Sequence, residues 1–131
     1  MTAQVGYSDV RTPFAAILRR AVEATPNALG AAFADRTGEM VDAFAAGYDP
    51  HEWAVLTAHY GVVLAHVQSA FGIWHYGGPE YFFVRHAQIN VFVHVVDSGY
   101  YALIAVAPPV PIDETLDHLA TAARELRREI A

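Results

Sequence analysis

Ile89-Asn90-Val91-Phe92-Val93-His94-Val95-Val96-Asp97-Ser98-Gly99-Tyr100-Tyr101-Ala102-Leu103-Ile104-Ala105-Val106-Ala107 is two apolar runs joined by three turn-forming residues. Gly99 supplies the backbone freedom a tight turn needs. A strand with one face in water alternates apolar and polar side chains. Here nearly every position is apolar on both sides of the turn, so both faces of this hairpin must be covered. The central strands of a sheet with helices on both faces meet that demand.

Moving toward the N-terminus, residues 80–87 (EYFFVRHA) read as one more strand. Pro79 cannot donate to a ladder, which places the start of this strand there and the strand itself at a sheet edge. Tyr81, Phe83 and Arg85 then point to one side, and Phe82, Val84 and His86 to the other. The stretch 71–86 (FGIWHYGGPEYFFVRH) concentrates aromatics and two histidines, which read first as packed strand side chains. An apolar edge strand invites a second chain, and closure by an identical subunit is the expectation.

Residues 29–35 (LGAAFAD) and 40–46 (MVDAFAA) flank Arg36-Thr37-Gly38-Glu39, a second antiparallel hairpin. Thr12-Pro13 and Asp49-Pro50 each combine a capping side chain with proline in the first helical turn. They open helices ending near Pro26 and near residue 70. A last helix follows Pro108-Pro109-Val110-Pro111, with Ile112, Leu116, Leu119, Ala120, Ala123, Leu126 and Ile130 along one face. The order is helix, strand, strand, helix, three strands, helix: an α+β fold with a five-stranded antiparallel sheet. Residues 1–11 read as a flexible lead-in and 12–131 as one domain.

Composition restricts function. Of 131 residues 54% are hydrophobic and only 17% charged, more apolar surface than a small monomer hides easily. A partner covering part of the surface is therefore expected. Fourteen acids against eight arginines and no lysine give a net charge of −6, which argues against a phosphate-binding surface and hence against nucleic acid. No apolar run spans a membrane and the opening residues lack a signal pattern, so the expectation is a cytoplasmic protein without membrane insertion. There is no cysteine, no GxxxxGK[ST] loop and no GxSxG; His51-Glu52 starts like HExxH, but Val55 stands where the second histidine would. No catalytic residue, cofactor or metal site is expected. His75, His86 and His94 remain a conceivable cluster across strands, and His59 and His66 lie seven apart on one helix, about 10 Å along its axis.

In the second helix, Trp53, Leu56, Tyr60, Val63, Leu64 and Val67 form a bulky stripe expected to lie on the sheet. Beside it Ala54, Ala58, Gly61 and Ala65 recur at heptad-like intervals. Such a row either admits a second helix at close range or packs under a loop of the same chain; contact between two copies is the expectation.

The element order, the hairpin LGAAFADRTGEMV with its Asp-x-x-Gly turn, the long second helix and the pair INVFVHVVDSGYYALIAVAP together resemble the Roadblock dynein-light-chain family, from about Phe14 to Ile130. The likeness is greatest to its bacterial branch, which includes MglB-like regulators of small GTPases. It implies a profilin-like sheet of order 2-1-5-4-3, with the first and last helices on one face and the second on the other. It also implies a homodimer through the second helix and third strand, a non-enzymatic role, and a small Ras-like GTPase as partner. The partner's hydrolysis would be stimulated through its own machinery, or the GTPase merely scaffolded. On that basis Ala54, Ala58, Gly61, Ala65, Tyr81, Phe83 and Arg85 are the expected dimer contacts, and His59, Val62 and His66 the expected partner contacts. A structural adaptor for a partner that is not a GTPase, and a ligand- or metal-binding sensor using the aromatic and histidine cluster, are the alternatives.

Overall fold

A computed structural model describes residues 12–45, 49–72 and 76–131; the expected lead-in, residues 1–11, lies outside the described residues. The elements are α1 (Pro13–Ala24), β1 (Ala28–Asp35), β2 (Met40–Ala45), α2 (Pro50–Phe71), β3 (Tyr81–Arg85), β4 (Asn90–Asp97), β5 (Tyr100–Val106) and α3 (Ile112–Ile130). The five strands form one antiparallel sheet in the order β2-β1-β5-β4-β3, as expected. The opening hairpin is β4–β5, and β5 occupies the centre between β1 and β4.

Local chemistry sets the ends. Thr12 accepts the backbone N–H of Ala15 at 3.0 Å and donates its hydroxyl to Asp42 of β2 at 2.6 Å, so one side chain caps α1 and ties it to the sheet. Asp49 accepts from the Glu52 N–H at 3.1 Å, with Pro50 in the first turn of α2. In the β1–β2 turn a single oxygen of Asp35 accepts from the Thr37 N–H (2.9 Å), the Thr37 hydroxyl (2.6 Å) and the Glu39 N–H (3.2 Å). The Thr37 hydroxyl leads in holding the Asp35 carboxyl below its usual range.

Alternation along the strands splits the interior into two cores. Ala31 and Phe33 of β1, Phe92 and Val96 of β4, and Ala102 and Ile104 of β5 pack under α1 and α3 with Leu18, Leu119 and Leu126. Ala32, Ala34, Ala43, Ala45, Val91 and Leu103 point the other way, under Trp53, Tyr60 and Leu64 of α2. The alanines on β1 and β2 leave room for the fully buried Trp53 indole, the largest side chain of that core. This two-sided burial is what the unbroken apolar runs require.

Two expectations need correcting. The strand placed at Pro79 begins at Tyr81, because Gly77 takes φ 84° and the chain is still in irregular conformation through Glu80. The stripe of α2 that meets the sheet is Trp53, Thr57, Tyr60, Gly61 and Leu64; Val63 faces outward and Leu56 is only half-buried. Thr57 is tolerated inside because its hydroxyl donates to the Trp53 carbonyl at 2.9 Å.

Candidate protein-interaction surface

With the inward face of α2 assigned, its outward face follows. Val55, Val62 and Val63 are 40, 56 and 38% exposed, and His59 and His66 are exposed among them. The Nδ1 of His59 bonds the Val55 carbonyl at 3.1 Å and that of His66 the Val62 carbonyl at 2.9 Å. A carbonyl only accepts, so Nδ1 is the donor in both bonds. The surface is thus a valine ridge flanked by two imidazoles, apolar enough to gain from burial yet polar at the rings.

The row of small residues behaves differently from expectation. Gly61 is buried inside its own chain: a Cβ built there would stand 2.5 Å from the Tyr101 Oη and 3.3 Å from the Gly38 Cα. A Cβ built on Gly38, at φ 88°, would stand 3.3 Å from the Ala58 α-carbon. The β1–β2 turn therefore lands on the groove that Ala58 and Gly61 leave open, and the Tyr101 hydroxyl donates to the Thr57 carbonyl there at 2.7 Å. This is the loop-packing alternative, and it buries Gly61 against its own chain. Ala54 and Ala58 are half-buried, and Ala65, one turn beyond, is exposed.

Among the described residues the third strand lies at the sheet edge and pairs with β4 alone, from Tyr81 opposite His94 to Arg85 opposite Asn90. Tyr81 and Phe83 are 48 and 40% exposed, and Arg85 is exposed beside them. Their rings stack on β4 neighbours, Tyr81 on His94 at 6.0 Å and Phe83 on Phe92 at 4.8 Å, which places them on the α1/α3 side. Phe82 and Val84 pack on the α2 side. The expected alternation holds, and among the described residues no strand pairs with the outer edge of β3.

The histidines do not converge. His86 hydrogen-bonds the Tyr60 hydroxyl on the α2 side, whereas His94 stacks on Tyr81 on the opposite face; His75 lies outside the described residues. Among the described residues no three histidine, aspartate or glutamate side chains are grouped to hold a metal ion, and no helix is long and apolar enough to cross a membrane. Sequence reasoning missed the Tyr60–His86 bond, which joins α2 to the residue just after β3. Only the pattern placing His86 on the Phe82 side hinted at it.

No protein-family model matches the chain, and no curated protein sequence matches it. Solved structures do. The gliding protein MglB of Thermus thermophilus superposes over 100% of this chain and 99% of its own, with TM-score 0.81 and 16% identity. A structure described as MglB with tetrameric arrangement covers 98% of this chain and 95% of its own, also at 0.81 and 16%. A Roadblock/LC7 domain from Streptomyces avermitilis covers 87% of this chain and 94% of its own, at 0.79 and 16%. The chain has the Roadblock/LC7 fold of the MglB kind.

Proposed function

We propose, with that fold as the premise, that this protein is a homodimeric, non-enzymatic regulator or scaffold of a small Ras-like GTPase. The observation that carries the reading is that, among the described residues, two apolar features have no partner: the valine ridge of α2 and the outer edge of β3. Pairing two β3 edges about a two-fold axis would extend the sheet and bring the two α2 helices side by side, an isologous contact. The composition calls for such cover, and one MglB structure is described as tetrameric, so self-association is known for a protein of this fold.

In such a dimer the exposed parts of both α2 helices make a composite platform. His59 and His66 set imidazoles on either side of Val62, suited to a partner surface that pairs apolar area with polar groups at its rim. Nothing on this face supplies a nucleophile with an adjacent base. Any acceleration of GTP hydrolysis would come from ordering the partner's own loops and water. The soluble bacterial cytoplasm is the compartment this reading assumes.

The test uses the purified protein as bait in native lysate, once with a non-hydrolysable GTP analogue and once with GDP, followed by hydrolysis assays on the GTPase recovered. Retention mainly with the analogue, and a hydrolysis rate that changes on adding the bait, are expected of a regulator. Equal retention in both nucleotide states makes it a scaffold. Recovery of no GTPase in either state overturns the reading.

A further inference from the structure

At the end of the sheet where β5 gives way to α3, Phe83, Arg85, Asn90, Pro109, Val110 and Ile112 line a groove of about 560 Å³. Asn90 stands across from Arg85 on β3 and from Val106 on β5. It lies two positions before Phe92 and therefore shares its face, the side of α1 and α3. The roof of the groove is fixed and apolar. The Asn27 side-chain amide donates to the Pro109 carbonyl at 2.7 Å, and the Ala107 N–H donates to the Asn27 carbonyl at 2.9 Å. Pro108, Pro109 and Pro111 have no N–H to offer a ligand.

Asn90 is the residue out of place here. It is only 4% exposed, yet among the described residues nothing bonds its side-chain amide. Interiors almost always satisfy such a group, because burying it unpaired is costly. The groove reaches Asn90, so that is where a partner for the amide can enter. Arg85 stands directly opposite, which puts the two β-carbons about 4.5–5.5 Å apart. Its guanidinium also has no ion pair or hydrogen bond among the described residues. No aspartate or glutamate lines the groove. A buried amide N–H beside an unpaired guanidinium offers two donors to the two oxygens of one carboxylate.

We propose that this groove binds an apolar monocarboxylate, its carboxylate between Asn90 and Arg85 and its hydrocarbon part against Phe83, Val110 and Ile112. An exposed guanidinium alone holds a carboxylate weakly. The buried amide therefore fixes the position of the acid group, and the apolar wall supplies most of the affinity. Phe83 and Ile112 are 40 and 41% exposed, and the ligand would cover that area. A phosphate group fits less well, since the groove has a single guanidinium and a roof built largely of proline. A free acid and the C-terminal apolar residue of a peptide carry the same chemistry. The site does not depend on the GTPase or on the dimer: edge pairing at β3 uses backbone groups in the plane of the sheet, whereas the groove lies on its face.

Calorimetric titration of the full chain with octanoate and with N-acetyl-leucyl-phenylalanine tests the site, and octanamide serves as the neutral comparison. The tighter of the two carboxylates identifies the source. The expected result is binding of a carboxylate at least tenfold tighter than octanamide, with at least a tenfold loss in Arg85→Gln and in Asn90→Leu. Arg128→Gln removes a charge from an exposed position outside the groove and should bind as the parent does. Should Asn90→Leu fail to fold by circular dichroism, nitrogen-15 NMR of the parent takes its place: the Asn90 side-chain amide resonances should shift as the carboxylate is added. Resonances that stay fixed overturn the proposal. Equal losses in Arg85→Gln and Arg128→Gln would reduce the effect to net charge and overturn it. Octanamide binding as tightly as octanoate would leave an apolar groove without acid recognition and overturn it as well. Binding of neither carboxylate overturns it outright and leaves the GTPase reading untouched.

Discussion

Gly61 shows how one missing methyl group organises three segments. Its α-carbon lets the Tyr101 hydroxyl reach the Thr57 carbonyl and lets the β1–β2 turn rest on α2. Helix propensity alone makes alanine better than glycine by about 1 kcal/mol. Overpacking a closed contact costs about 1–3 kcal/mol, and at 2.5 Å from the Tyr101 oxygen the steric term wins. G61A should therefore be destabilising, Y101F should lose about 1 kcal/mol with its hydrogen bond, and the double variant should lose less than the sum. Urea unfolding of the four proteins measures that coupling; strict additivity would mean that the two residues do not press on each other. The same phenol has a pH signature. Burial, with the Asp35 charge second, pushes Tyr101 up to about 12 from 10.0. Between those values the folded chain keeps a proton that the unfolded chain has lost, so the contribution is complete below pH 10 and disappears as pH rises through 12. Urea midpoints between pH 9 and 11.5 should fall more steeply for the parent than for Y101F.

At the scale of the element, α2 carries the proposed partner surface, and its sequence says least about its orientation. The hairpins and α3 were legible because their periods are clean: two unbroken β-runs need two covered faces, and Leu119, Ala123 and Leu126 of α3 fall on one stripe. α2 is apolar nearly all round, so periodicity could not separate Val63, which faces out, from Thr57, which faces in. The row containing Ala58 and Gly61 looked like a seam for a second helix, and it is a landing site for the chain's own turn. Only the tertiary fold brings Gly38 there. The outward ridge is the place to test partner binding. Val62 is more than half exposed, so V62R should leave the fold's stability within about 0.5 kcal/mol. It should keep the parent's light scattering and far-UV circular dichroism and lose at least tenfold in GTPase retention. G61R, in contrast, should unfold the chain. A V62R protein that retains the GTPase as the parent does would move the platform away from this ridge.

The whole molecule is a sheet between unequal layers. Two helices cover one face and a single helix the other, and that helix runs past its support. From Ala65 onward every described residue of α2 is exposed except the half-buried Val67, although the helix continues to Phe71. Backbone hydrogen bonds there are guarded by little tertiary packing, and such segments open at a small fraction of the global unfolding free energy. Within one protomer, then, the amides from Gln68 to Phe71 should exchange with deuterium far faster than those from Thr57 to Leu64, which lie over the sheet core. If two copies meet along α2 and β3, the projecting turns and the open strand Tyr81–Arg85 gain cover together, because one two-fold axis serves both. Protection of both segments should therefore rise in parallel with protein concentration, while the β1 and β5 amides, already at the centre of the sheet, stay unchanged. Exchange measured across a hundredfold dilution reads this directly. Concentration-dependent protection confined to α2 would mean a dimer built on helices alone and would remove the strand from the interface. Protection independent of concentration at both segments, in a protein shown to be monomeric, would leave the apolar excess of the chain to be covered by a partner of a different kind.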